Sequence, residues 1–265
     1  MEAFQYYPGT SPLLISIPHA GTQLTPVVQA GLSEAAKSLP DTDWHVPQLY
    51  EFARQTGAHL LIANYSRFVI DLNRPADDQP LYTTATTGLF PQTLFDGTPV
   101  FSAGKSPSDD ERAACLTNIW QPYHQKIQDT LTSIKEKFGY ALLFDAHSIA
   151  SNIPRLFEGQ LPDLNIGTNQ EQSCAPNLQQ TVEKVCRSQD KFSWVINGRF
   201  KGGYITRAYG QPEQHWHAIQ LELAQCNYME EKPPFKWRED RAEQLIPVLE
   251  NIITQYTKSA ESLAG

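Results

Sequence analysis

Cysteine is scarce in this chain and has no pattern: Cys115, Cys174, Cys186 and Cys226 contain no Cys-x-x-Cys spacing. That argues against a zinc knuckle or a disulfide-stapled scaffold and leaves reduced thiols of the cytosolic kind. Charge is modest too, at 19% of residues, with a net charge of −8 and lysine and arginine scattered along the chain. Nucleic acid or an anionic membrane surface would want a basic face, so neither partner is expected. No apolar run approaches the roughly 18 residues of a membrane span. Met1-Glu-Ala-Phe-Gln5 lacks the basic region and apolar core of a signal peptide, so the expectation is a soluble, cytoplasmic protein. Linkers rich in Pro, Gly and Ser, low-complexity tracts and internal repeats are missing as well. The 265 residues are therefore read as one domain over 1–265.

Apolar runs with the look of buried strands lie at 13–18, 59–65, 67–72, 141–145, 193–197 and 217–223. Helical spacing occupies 43–55, 108–137, 182–186 and 238–256. Within the second of these, Ser108-Asp-Asp-Glu111 has capping-box spacing and Gly139 marks the stop. Strands alternating with helices predict an α/β fold, three layers deep (α/β/α), around a mostly parallel mixed sheet. The stretch 75–107, rich in Pro, Thr, Asp and Gly, has little periodicity. A loop of that length inside a compact domain predicts a lid or a pocket wall.

The chemistry-bearing residues gather where strands run out. Ala141-Leu-Leu-Phe-Asp-Ala-His-Ser148 ends an apolar run on Asp145 and His147, which share a strand face. Leu13-Leu-Ile-Ser-Ile-Pro-His19 ends likewise, and Pro18-His-Ala-Gly21 surrounds the imidazole with small neighbours. Ligands in open α/β sheets bind outside the carboxyl ends of the strands. Two histidines delivered there point to a metal-assisted hydrolase, with Asp145 orienting His147. A catalytic zinc site needs a third protein ligand, and Asp41-Thr-Asp43-Trp-His45 offers three. Asp43 is preferred over Asp41 and His45, with one of the two aspartates expected as the helix N-cap.

In Ile219-Gln-Leu-Glu-Leu223, alternation puts Gln220 and Glu222 on one face of a strand. An acid in so apolar a run is either paired or a general base with a raised pKa. Arginine forks suit carboxylates. Arg67 and Arg74 flank an apolar run that also carries Asn73, and Arg207 follows Gly202-Gly203. Arg155 and Asn165 are weaker candidates of the same kind.

These segments, in order, resemble a known family. Ser16-Ile-Pro-His-Ala-Gly21, Asp41-Thr-Asp-Trp-His45, Ser66-Arg-Phe-Val-Ile-Asp-Leu-Asn-Arg-Pro75, Asp145-Ala-His-Ser148, Phe157-Glu-Gly159, Leu161-Pro-Asp-Leu-Asn-Ile-Gly-Thr168 and Gly202-Gly-Tyr-Ile-Thr-Arg207 are similar to the N-formylglutamate amidohydrolases. The resemblance runs from about residue 12 to 225. It implies a zinc-exopeptidase-like (phosphorylase/hydrolase-like) fold and hydrolysis of N-formyl-L-glutamate to glutamate and formate, within one route of histidine degradation. The expected cofactor is Zn2+, with Co2+ or Mn2+ as alternatives, held by His19, Asp43 and His147. Glu222 and Asp145 form the expected catalytic set. Arg67, Asn73, Arg74, Arg155 and Arg207 are the expected contacts to a small-molecule dicarboxylate. One departure from the zinc carboxypeptidases stands out: they carry a glutamate three residues after the first histidine, where this chain has Thr22.

Three rivals remain. An arginase-type formiminoglutamase would need an aspartate where Ile149 stands, and a Ser-x-Asp-x-Asp run that the chain lacks. A related N-acyl-amino-acid amidohydrolase would share the site and take another acyl group. A metal-free carboxylate-binding protein would keep the pocket without turnover.

Overall fold

The computed structural model of the chain describes residues 2–80 and 87–263. Its strands are β1 (Phe4–Tyr7), β2 (Leu13–Ile17), β3 (His59–Ala63), β4 (Ala141–Ile149), β5 (Leu164–Gly167), β6 (Trp194–Ile196) and β7 (Trp216–Ala224). They form one sheet in the order β1-β3-β2-β4-β7-β5-β6. The β3-β2-β4-β7 centre is parallel, while β1 on β3 and β5 on β7 are antiparallel. The helices are α1 (Pro26–Gly31), α2 (Val46–Leu49), α3 (Asp109–Cys115), α4 (Gln121–Phe138), α5 (Pro176–Arg187), α6 (Tyr204–Tyr209) and α7 (Glu239–Ser259). This is the expected mixed α/β architecture.

Continuous apolar strands are what a parallel sheet covered on both faces requires. Leu13, Ile15, Ile17, Leu142, Phe144, Ile219, Leu221 and Leu223 all point to one face, where they pack with α2, α5 and α7. Each such side chain contributes ~1.5–3 kcal/mol by leaving water. Leu14, Leu143 and Ala218 point the other way, against α1, α3, α4 and α6. Towards the carboxyl ends of the strands that second face turns polar, through Ser16, Asp145, His147, Gln220 and Glu222, all of them buried. The site grows from this change of character.

Several local expectations need correction. Residues 67–72 are not a strand. Phe68, Val69, Ile70 and Leu72 are buried as an irregular segment in the second core, and an apolar run alone does not distinguish the two. The 43–55 helix shrinks to α2 and a 3-10 turn at Glu51–Arg54. Its N-cap is His45, at φ 63°, so neither Asp41 nor Asp43 caps it. The helix expected over 182–186 begins at Pro176, and residues 204–209, where no helix was expected, form α6. Strands β1 and β5 were not expected at all.

The 108–137 pattern does give a long helical stretch, opened by the Ser108/Glu111 capping box. Between α3 and α4 it widens into a π turn at Leu116–Trp120. Pro122, just beyond, has no N–H to donate backwards, and π turns accommodate such a break. The turn presents Trp120, whose indole donates to the Arg74 carbonyl at 2.9 Å.

One turn further along, His124 Nε2 donates to the Leu72 carbonyl at 2.9 Å, and the Tyr209 hydroxyl lies 3.0 Å from Nδ1. A carbonyl only accepts, so the proton sits on Nε2. Burial lowers the His124 pKa from 6.5 to about 3. The folded protein thus keeps this ring neutral, while the unfolded chain takes up a proton below pH 6.5. Stability is present above 6.5 and lost as pH falls, by on the order of 5 kcal/mol once pH 3 is passed. Denaturation midpoints followed between pH 7 and 3 are expected to fall less steeply in His124→Gln than in the parent. Parallel curves would contradict this role.

Candidate functional site

His19 lies just past the end of β2, and His147 lies near the end of the neighbouring β4. Asp43 arrives on the segment just before α2, its backbone N–H donating to the His19 carbonyl at 3.0 Å. Its Oδ2 lies 3.2 Å from His147 Nδ1 and 3.9 Å from His19 Nδ1, and accepts from the Ser148 N–H at 3.1 Å. One ligand atom from each of the three residues falls within a 4.8 Å cluster, and all three residues are buried. The imidazole centroids are 4.9 Å apart.

Each histidine is backed by a carboxylate on its far nitrogen. His19 Nε2 meets Asp71 Oδ1 at 2.7 Å, and His147 Nε2 meets Asp145 Oδ2 at 3.0 Å. Carboxylates that accept there put the proton on Nε2 and turn the Nδ1 lone pairs towards Asp43. Two imidazole lone pairs and a carboxylate oxygen form the donor set of a three-ligand cation site. The charges agree. Burial opposes the imidazolium form of His147, yet Asp145 and Asp43 raise its pKa well above the ordinary value. The structure calls for positive charge between these carboxylates, which a cation bound there would supply. His19 behaves differently, since burial, and then Arg67, lowers its pKa.

Asp145 is fully buried, its Oδ2 3.0 Å from His147 Nε2 in the orienting contact expected of it. Asp71 does the same for His19 and also accepts from Arg67 Nη2 at 2.6 Å. Burial works against its charge, but His19 and Arg67 hold its pKa well below the usual range. Glu222 pairs in register with His147 across β4 and β7. Burial pushes its pKa up to about 8, the range of a general base.

His19, Asn73, His147 and Glu222 line one cleft of about 600 Å³, with Arg67 and Arg74 among its walls. The Arg67 guanidinium sits 4.6 Å from the centroid of the Phe95 ring. Arg74 donates to the Thr87 and Asn73 carbonyls at 2.7 and 2.9 Å. Asn73 is held from two sides: Oδ1 accepts from the Ile205 N–H at 2.8 Å, and Nδ2 donates to Asp145 Oδ2 at 3.3 Å. A Cβ on Gly203 would come within 2.3 Å of that amide, so glycine is required there by close approach rather than by its dihedrals. Of the segment expected as lid or wall, Thr87 and Phe95 reach the cleft; residues 81–86 lie outside the described residues.

Other expected contacts point elsewhere. Arg155 is exposed and reaches the Phe95 carbonyl at 3.4 Å. Arg207, on α6, donates Nε to the Gly202 carbonyl at 2.9 Å. Neither is among the cleft-lining residues. Asn165 donates to the Pro162 and Glu222 carbonyls, supporting β7 from behind. Asp41 accepts from the Phe95 N–H at 2.9 Å, and His45 Nε2 meets the Phe235 carbonyl at 2.7 Å, so both rivals of Asp43 are engaged away from the cluster. Not foreseen from the sequence were Asp71 as partner of His19 and, among the cleft walls, Phe95, Leu156, Arg199 and Phe200. Asp71 carried a usable signal, being an acid inside the apolar run 68–72.

A profile of the N-formylglutamate amidohydrolase family matches residues 11–229. The chain belongs to this family. The matched span holds every residue of the cluster and the cleft named above. Among full-length relatives, an N-formylglutamate deformylase of Pseudomonas aeruginosa is 57% identical over 252 residues, 95% of either chain. Another N-formylglutamate deformylase, from Pseudomonas putida, is 56% identical over 95% of this chain and 94% of its own. Solved structures share the fold. The N-formylglutamate amidohydrolase of Ralstonia eutropha JMP134 superposes with a TM-score of 0.81 at 22% identity, covering 99% of this chain and 98% of its own. An Agrobacterium tumefaciens gene product gives 0.72 at 14% identity, covering 98% and 97%.

Proposed function

We propose that this protein is a metal-dependent N-formylglutamate deformylase, releasing formate and L-glutamate from N-formyl-L-glutamate. The observation that carries this reading is the convergence of His19, Asp43 and His147 beside Glu222 in an arginine-walled cleft, in a chain whose relatives bear that name. The nitrogen and oxygen donors suit Zn2+, and Co2+ or Mn2+ could occupy them as well. Such an ion, when bound, acidifies an attacking water and polarises the carbonyl under attack.

The residues of the chain do the rest. Glu222 takes a proton from the attacking water and returns it to the amine nitrogen as the C–N bond breaks. Arg67 offsets negative charge building on the formyl oxygen, its plane fixed by Asp71 and Phe95. Arg74 grips the α-carboxylate. Asp71 and Asp145 hold the two imidazoles in their tautomers, and Asn73 braces Asp145. Glutamate produced this way fits a terminal step of histidine degradation, the route implied by the family resemblance.

Incubating purified protein with N-formyl-L-glutamate and with N-acetyl-L-glutamate tests the substrate class. Equimolar formate and glutamate from the first, with little acetate from the second, is the expected result. Acetate release matching or exceeding formate would transfer the reading to a broader N-acyl-amino-acid amidohydrolase. Asp71→Asn is expected to weaken metal binding by ~10–100-fold, the usual cost of losing such a partner. Competition against a chelator of known affinity reads this directly, and unchanged affinity would remove Asp71 from the support of His19.

A further inference from the structure

Three guanidinium groups line the cleft, and they are held in two ways. Arg67 and Arg74 belong to the segment that also carries Asp71 and Asn73, so they stand within the network supporting His19 and His147. Arg199 comes from a different part of the chain, the loop between β6 and α6. Its Nε donates to the Leu156 carbonyl at 2.8 Å, and its guanidinium carbon sits 5.4 Å from the centroid of the Phe200 ring. One edge of the fork is thereby fixed by a backbone acceptor, and an aromatic ring lies close by.

The surroundings of Arg199 also differ. Leu156 and Phe200 line the cleft beside it, with Ile149 and Phe95 part of the same small apolar cluster. Arg67 bonds Asp71, the partner of His19, and Arg74 adjoins Asn73, whereas Arg199 contacts Leu156 and Phe200, the apolar part of the cleft. A substrate with its formamide at the His19–Asp43–His147 cluster has its α-carboxylate one carbon away from the reacting nitrogen. Its side-chain carboxylate lies two methylenes further on. Near charges fall to Arg67 and Arg74, and a far charge approached along apolar walls falls to Arg199.

We propose that Arg199 is the specificity-determining residue for an acidic side chain, binding the distal carboxylate of the substrate while Leu156, Phe95 and Phe200 cover its methylenes. This rests on the proposed amidohydrolase reading and names the group that selects glutamate within it.

The test compares N-formyl-L-glutamate with its neutral isostere N-formyl-L-glutamine in the parent, Arg199→Gln and Arg199→Lys. A lost charge-assisted fork corresponds to a roughly 100-fold change. In Arg199→Gln the kcat/KM preference for the acid is expected to fall by about that factor, through KM, with kcat for either compound changed only a few-fold. Arg199→Lys, which keeps the charge and loses the fork, is expected to fall between. An unchanged preference, or an equal loss on both compounds, would overturn the assignment. Calorimetric binding of L-glutamate against L-glutamine provides a readout independent of turnover. Loss of glutamate binding alone supports Arg199, and equal binding in parent and variants overturns it. Should the parent release no formate, the amidohydrolase reading fails by itself, and the binding pair still decides the role of Arg199. Should Arg199→Gln not fold, Arg199→Lys carries the comparison.

Discussion

Glu222→Gln is expected to retain its metal and lose turnover by ~10³-fold or more. Gln keeps the size and one acceptor oxygen of the glutamate but cannot take a proton, and general-base catalysis is worth ~10²–10⁴-fold. The fold should tolerate the change well. Glu222 is almost fully buried, its side chain accepts from the Gln220 amide at 3.4 Å, and burial already pushes its pKa to about 8. An amide at that position replaces a carboxyl group whose raised pKa makes folding take up a proton near neutral pH, so equal or higher thermal stability should accompany the lost activity. Steady-state formate release, read beside metal content and melting temperature, checks both halves. Turnover within a few-fold of the parent would take Glu222 out of the mechanism.

Asp43→Ala should act on the metal itself. Among the described residues, Asp43 is the carboxylate within 4 Å of both imidazoles, at 3.2 and 3.9 Å. Zinc sites with four ligands bind with on the order of 10–16 kcal/mol, so one ligand accounts for about 3–4 kcal/mol, or ~10²–10³-fold in affinity. Asp41→Ala and His45→Ala are the informative controls. Their side chains engage the Phe95 N–H and the Phe235 carbonyl rather than the cluster. Both should keep a full equivalent of metal, whereas Asp43→Ala should lose it on dialysis. Retention by Asp43→Ala with loss from either control would put the third ligand elsewhere.

The parts of the fold that could be read in advance are those where one local rule dominates. Strands β2, β4 and β7 are buried on both faces, so their composition alone announces them. His19, His147 and Glu222 were legible because polar groups at the ends of such strands have few other reasons to exist. The capping box at Ser108 was legible because its partners are three residues apart. Contacts over long sequence distances were not. Asp71 meets His19 across 52 positions, and nothing within 67–72 distinguishes a strand from a buried irregular segment. Arginines were harder still. A flexible side chain reaches several ångströms in any direction, so Arg155 and Arg207 were expected at the cleft while Arg199 was overlooked, and only packing fixes each one on a different carbonyl.

Hydrolysis of N-formyl-L-glutamate is expected to need a metal held by His19, Asp43 and His147. Formate release by the purified protein tests it most directly, measured as isolated, after exhaustive chelation, and after adding zinc back. Activity abolished by chelation and restored by about one equivalent of zinc is the expected result. Release of formate that survives removal of all bound metal would contradict the claim.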